Sequence, residues 1–219
     1  VASVTQTDIA QLPDYSLRSK KIISQSLSYQ VQSFPGLSMD NQLPHDVLRR
    51  NLHYPHGSNP KLEQEARRLK GQYQTEREII QAVLAQIRQN DYYYTLRPPL
   101  LVNNSLDEFY FDTRAGFCVH YASTFTFLMR AVGIPARMVT GYLGGEYNPQ
   151  GDYYSIFQYD AHAWAEVWLP DTGWQRVDPT AAVSPERVED GFSAAMAAEQ
   201  SLLASELFSL HSYKHLAWL

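Results

Sequence analysis

Arg114-Ala115-Gly116-Phe117-Cys118-Val119-His120-Tyr121-Ala122 opens a strongly apolar run and holds the single cysteine of the chain. From Cys118 onward, Tyr121, Ala122, Phe125, Leu128, Met129 and Val132 recur at three- and four-residue steps, which predicts an α-helix with these side chains on one face. Gly133 follows the last of them and Pro135 cannot extend the ladder, so the helix stops there. Its start falls near Ala115 or Gly116, which puts Cys118 in the first turn. There the unpaired backbone N–H groups and the positive end of the helix dipole favour a thiolate over a thiol. The same N–H groups can receive an oxyanion, and an acyl-transfer nucleophile needs both. Free cysteine is also among the most buried residue types and packs as a small hydrophobe. This stretch alone therefore leaves a structural cysteine and a nucleophile both open.

Ala161-His162-Ala163-Trp164-Ala165-Glu166-Val167-Trp168-Leu169 alternates in two-residue steps. The pattern predicts a strand with His162, Trp164, Glu166 and Trp168 on one face and the small and aliphatic residues on the other. Pro170-Asp171-Thr172-Gly173 is turn chemistry, and Trp174 to Asp178 reads as the antiparallel return, ended by Pro179. The hairpin brings His162 near Asp178. With Leu169 opposite Trp174, however, a regular ladder sets Asp178 across from Ala165, so contact with His162 requires a bulge, strong twist or another register. Arg137 to Tyr142 reads as a further strand, giving one helix packed on an antiparallel sheet.

Gly116-Phe117-Cys118 with Ala122, Arg130 to Arg137 with Gly141-Tyr142, Ala161 to Val167, and Trp174 with Val177-Asp178-Pro179-Thr180 together resemble the bacterial transglutaminase-like family. The resemblance covers roughly residues 105 to 182, and its four ordered motifs are more specific than any one of them. It implies a papain-like α+β core with Cys118 as nucleophile, His162 as general base and acid, and Asp178 as the group orienting the imidazole. The implied reaction is transfer of a glutamine acyl group through a Cys118 thioester to a primary amine, on protein or peptide substrates. The flanking sequence resembles the periplasmic domain of a bacterial inner-membrane member of that family, which implies membrane anchorage outside this stretch. A cysteine peptidase or amidase with the same triad, and a non-catalytic peptide-binding module, are the alternatives.

Other polar residues have competing readings. His120 lies about 200° around the helix from Cys118 and reads as structural. Asp160 and Glu166 rival Asp178, though Asp160 fits the turn into the strand and Glu166 fits a pair with Arg137 or Arg176. In larger animal-type transglutaminases the second oxyanion donor is a Trp upstream of the cysteine, but the first Trp here is Trp164. Asn103, Asn104 and Tyr110 are the candidates beside the Cys118 N–H.

A formal net charge of −5 over 219 residues, with charges scattered, argues against a nucleic-acid surface. No apolar run approaches the roughly 20 residues of a membrane span. His45, His53 and His56 lack partners at a metal-ligand spacing, and no Asp-x-Asp-x-Asp-Gly loop is present, so neither metal nor cofactor is expected. Three regions follow: a mainly helical 1–104, a catalytic core 105–182 and a C-terminal helical 183–219. Within the first, Ser28 to Phe34 reads as a strand and Asp40 to Leu52 as a helix. Asn59-Pro60 starts a helix to about Gly71, and Thr75-Glu76-Arg77-Glu78 is a capping box before another. Tyr92 to Leu96 reads as a strand whose tyrosines pack or line a groove.

Overall fold

The computed structural model describes residues 2–4, 8–12, 15–33 and 42–189, so the helix expected within 192–219 lies outside the described residues. In chain order the elements begin with short strands β1 (Ala2–Val4), β2 (Ile9–Gln11), β3 (Leu17–Ser19) and β4 (Val31–Ser33). Helices α1 (His45–Leu52), α2 (Pro60–Gln72) and α3 (Glu76–Gln89) follow, then strand β5 (Tyr93–Tyr94) and the helical turn α4 (Ser105–Asp107). After a wide π-type turn at Glu108–Thr113 come β6 (Ala115–Gly116), α5 (Cys118–Val132) and β7 (Ala136–Tyr142). A hairpin β8 (Glu146–Asn148) and β9 (Tyr153–Ser155), strands β10 (Ala161–Leu169) and β11 (Gly173–Val177), and α6 (Pro185–Glu189) complete it.

The apolar run begun by Cys118 is indeed a helix, but it starts later than expected. Ala115 and Gly116 instead pair in parallel with Tyr93 and Tyr94. Nor is only one face buried: Thr124, Thr126 and Phe127 are buried together with the periodic residues. A helix apolar nearly all round belongs inside a layered core. Here α5 lies between α2 on one side and the antiparallel sheet β11-β10-β7 on the other. Its C-terminus closes on Gly133 at φ 98°, with the Ile134 N–H donating to the Met129 carbonyl at 2.8 Å. The fold is thus α+β, with the helix on an antiparallel sheet as the resemblance implies.

The entry into α5 tolerates no side chain before Phe117. A Cβ on Gly116 would lie 2.8 Å from the His120 ring and 2.9 Å from Phe109. His120 needs that space because its Nδ1 accepts the Phe117 backbone N–H at 3.3 Å, capping the helix that carries Cys118. Burial holds the His120 pKa down, so the ring remains a neutral acceptor.

The capping box at the start of α3 is present, with the Thr75 hydroxyl accepting from Glu78 N–H and the Glu78 carboxylate answering the Thr75 N–H. The start of α2 differs from expectation. Asn59 occupies the N-cap position and Pro60 the first helical one, but Asn59 Oδ1 accepts the N–H groups of Leu106 and Asp107 at 3.0 and 3.1 Å. Asp107 in return accepts the N–H groups of Lys61 and Leu62 at 2.9 and 2.8 Å. Two helix N-termini, both facing a carboxylate or amide oxygen, cap one another across the chain. Asp107 and Asn59 are both buried, so these bonds are shielded from water. Replacing Asp107 by Ala strands two N–H donors, the buried one of Leu62 and the half-buried one of Lys61, and is expected to cost about 2 kcal/mol. Urea unfolding checks this: the midpoint falls while the slope stays unchanged.

Candidate active site

Cys118 is the first residue of α5 and is only 7% exposed. It packs with Ala122 and Ala163, which places β10 directly over the head of the helix. Two residues before Trp164 on that strand, His162 is buried with Nε2 2.7 Å from Asp178 Oδ2. A carboxylate only accepts, so Nε2 carries the ring proton, and Nδ1 is the basic nitrogen left to meet the sulfur. Nδ1 is buried and has no partner of strict hydrogen-bond geometry, yet the thiol and imidazole interact, each shifting the titration of the other.

The electrostatics favour the charged pair. Burial pushes the Cys118 thiol up, but the His162 ring, the Ala163 N–H and the charge of Arg187 outweigh it and lower its pKa. Burial likewise depresses His162, and hydrogen bonds to Asp178 and Cys118 outweigh it and raise it. Asp178 is held below the usual carboxylate range because His162 and Arg176 outweigh its burial. These shifts describe one coupled system, in which the thiolate and the imidazolium each favour the other's charge, rather than separate residues.

The register explains how Asp178 reaches His162. Leu169 pairs with Gly173, not with Trp174, and Ala165 pairs with Val177. Continuing the ladder by one residue sets Asp178 across from Trp164, hence on the His162 face and diagonal to it. The sequence-based register was off by one, and a one-residue slip moves every side chain to the other face. No bulge is required. Of the rivals, Asp160 accepts the Phe157 N–H at 2.8 Å and forms the turn into β10, while Glu166 pairs with Arg137 at 2.7 Å.

Trp164 covers the His162–Asp178 contact, its ring stacked on the imidazole at 6.3 Å and 22°. Arg176 lies 4.3 Å over the other partner of that stack, the Trp164 ring. The cover depends on Gly141, which pairs with His162 across β7 and β10. A Cβ there would stand 2.9 Å from the Trp164 ring.

A cleft of about 360 Å³ opens onto Cys118 and His162 between Tyr94, Leu96 and Val119 on one wall and Thr140, Tyr159 and Ala161 on the other. The oxyanion candidates taken from sequence are elsewhere. Asn103 lines a separate hollow of about 580 Å³ with Ser123 and Arg130. Asn104 stands at the N-cap of α4, and Tyr110 is sealed in the core. Instead the Tyr94 hydroxyl meets the backbone N–H of Cys118 and the Arg187 guanidinium. Burial raises the Tyr94 pKa, so the hydroxyl stays a neutral donor. The Tyr92-Tyr93-Tyr94 run marked this position but could not distinguish its members. The parallel pairing of Tyr94 with Gly116 does so by fixing it two residues from Cys118. His45, His53 and His56 do not converge, and among the described residues no cluster of metal-ligating side chains occurs.

A cysteine at the mouth of a buried helix, facing a histidine and aspartate from the adjoining antiparallel sheet, defines the papain-like class of α+β proteins. Residues 63–179 match the family model of the transglutaminase-like superfamily, and the chain belongs to that family. It is 40% identical over its full length to a protein-glutamine gamma-glutamyltransferase of Pseudomonas aeruginosa, of which it spans 33%. It is 42% identical over 79 residues to the uncharacterized protein YebA of Bacillus subtilis, matching 34% of this chain and 11% of that protein. The crystal structure of the periplasmic domain of TgpA from Pseudomonas aeruginosa superposes with a TM-score of 0.86 at 41% identity, covering 88% of this chain and 67% of that one. The chain thus spans about a third of the length of the curated relative it matches end to end.

Iodoacetamide alkylation of Cys118 is expected to persist well below the ordinary thiol pKa of about 8.5. His162→Ala should move the alkylation profile toward that value. Gly141→Ala, which displaces the tryptophan cover, should shift it in the same direction by a smaller amount, read from the same pH series.

Proposed function

We propose that this chain is the acyl-transfer domain of a transglutaminase, with Cys118, His162 and Asp178 as its catalytic residues. The observation that carries the proposal is the buried line from sulfur to imidazole to carboxylate at the head of α5, open to a cleft. The Cys118 thiolate attacks the side-chain carbonyl carbon of a glutamine. The oxyanion so formed lies against the Tyr94 hydroxyl, whose oxygen accepts the Cys118 N–H and so ties this donor to the head of α5 before charge develops. Imidazolium His162 gives its proton to the departing nitrogen, ammonia leaves, and a thioester remains on Cys118. A primary amine then attacks the thioester, His162 takes the amine proton, and the thiolate departs as the isopeptide forms. Asp178 keeps the imidazole in the tautomer whose Nδ1 faces sulfur throughout. No step calls for a metal.

The same reading places the domain in the periplasm of a bacterium, as part of an inner-membrane protein, supported by the likeness to the TgpA periplasmic domain. No helix among the described residues is long and apolar enough to cross a membrane.

Incubation with a glutamine-bearing protein and a tagged amine, followed by mass spectrometry, tests the assignment. Tagged product is expected, and Cys118→Ala should abolish it while leaving the fold intact. Shortened chains in place of tagged ones would make the domain a peptidase. Tyr94→Phe should lower kcat roughly 100-fold with little change in KM for the donor, the size expected for one oxyanion donor.

A further inference from the structure

The two walls of the cleft are chemically unlike. On the α5 side, Leu96 and Val119 present aliphatic surface, 39% and 40% exposed, beside Phe117 and the Tyr94 hydroxyl deeper in the cleft. On the other side Tyr159 leads out to a mouth of ring faces: Tyr159 is 40% exposed, Phe157 39% and Tyr142 51%. Phe157 and Tyr159 stack at 5.0 Å and 14°, and the Tyr142 hydroxyl reaches Gln158 of the same turn. Such rings are normally buried, and a rigid exposed group of them marks a contact surface.

Charge points to what they contact. Between Arg137 and Arg176 there is no Lys or Arg, only Glu146, Asp152, Asp160, Glu166 and Asp171. Glu166 and Asp171 are neutralised by Arg137 and Arg77, and Asp160 is spent on its own turn. Glu146 is not: among the described residues no Lys or Arg pairs with it, and its carboxylate accepts the Tyr159 hydroxyl at 2.6 Å. Asp152 takes the Tyr147 hydroxyl in the neighbouring hairpin in the same manner. The Glu146 contact pushes the Tyr159 phenol up to about 12, so its ring keeps the neutral, electron-rich face that attracts cations. Arg187, also in this wall, is turned inward to the carbonyls of Tyr159 and Ala161.

We propose that the mouth formed by Tyr142, Phe157 and Tyr159, with Glu146 behind it, is the docking site for the ammonium group of a lysine side chain, the acyl acceptor. The inference rests on the acyl-transfer reading and extends it to the acceptor side. Ring faces and one carboxylate hold the cation at the edge of the cleft. Before passing inward past Tyr159 toward His162, the ammonium releases one proton to bulk water at the mouth, and the neutral amine so formed is the nucleophile whose second proton His162 takes as the thioester opens. The aliphatic wall is left to the neutral glutamine donor.

The test uses the Cys118→Ala protein, which binds without turnover, titrated by NMR with N-acetyl-lysine amide and with the uncharged isostere N-acetyl-norleucine amide. The lysine compound should shift the Tyr159 and Tyr142 ring resonances and bind about tenfold more tightly than the norleucine compound. Glu146→Gln keeps an acceptor for the Tyr159 hydroxyl but removes the charge, and should weaken lysine binding about fivefold; Tyr159→Leu should weaken it about tenfold. Equal binding of the two compounds, or undiminished binding in both variants, overturns the proposal. Ammonia release from a glutamine peptide by the Cys118-containing enzyme, followed in parallel, reports acyl transfer separately. Its absence would sink the transferase reading, while the titration still decides whether the mouth reads a cation.

Discussion

The structure depends on a thiol and an imidazole brought together across a seam, with the sulfur on the helix and the ring on the sheet, each favouring the other's charged form. Burying two charges is costly, by several kcal/mol per ion in a protein interior, unless each finds further partners. Here every partner is supplied by the packing that causes the burial. The Ala163 N–H reaches the sulfur because Ala163 and Ala122 are small enough to let β10 settle on the start of α5. Asp178 reaches the imidazole because the ladder register leaves it on the same face. A larger residue at either alanine would lift the strand from the helix and separate the pair without touching it.

Asp178 carries more than one load. Besides His162 it accepts from Arg176 at 3.3 Å and from the Thr180 N–H at 3.2 Å. That set keeps it ionised although it is buried, and it also caps the turn that follows β11. Because Asp178 stays ionised, the imidazole keeps its proton on Nε2, so one carboxylate settles tautomer, orientation and the end of the strand together. Trp164 stacks on the imidazole of this pair, and the Arg176 cation lies over the Trp164 ring.

What could be read from sequence was whatever is local. The helix from Cys118, its stop at Gly133, the alternation of β10, and the capping box at Thr75 all depend on neighbours within a few residues, and each is found. The hairpin register was missed by one because Gly173 could be placed in the turn or in the strand, and only packing against β7 decides. Asn59 looks like the cap of its own helix and instead caps another, since Asp107 lies far along the chain. The site shows the same division. Cys118, His162 and Asp178 stood out through a resemblance spread over four motifs. Tyr94 did not, because its position is set by a two-residue parallel pairing with Gly116 that carries no pattern of its own.

Arg187 shows how far beyond the family match the site extends. It lies on α6, after the matched residues 63–179, and is 1% exposed. Its guanidinium donates to the Ala161 carbonyl at 3.0 Å and reaches that of Tyr159 at 3.5 Å, and it also meets the Tyr94 hydroxyl. These carbonyls belong to the turn that launches β10, so the cation holds the peptide immediately before His162. The same charge lowers the Cys118 thiol pKa and lies beside the Tyr94 hydroxyl. One buried cation therefore links His162, Cys118 and the aromatic mouth, and the segment after Thr180 is as much a part of the site as the helix it faces.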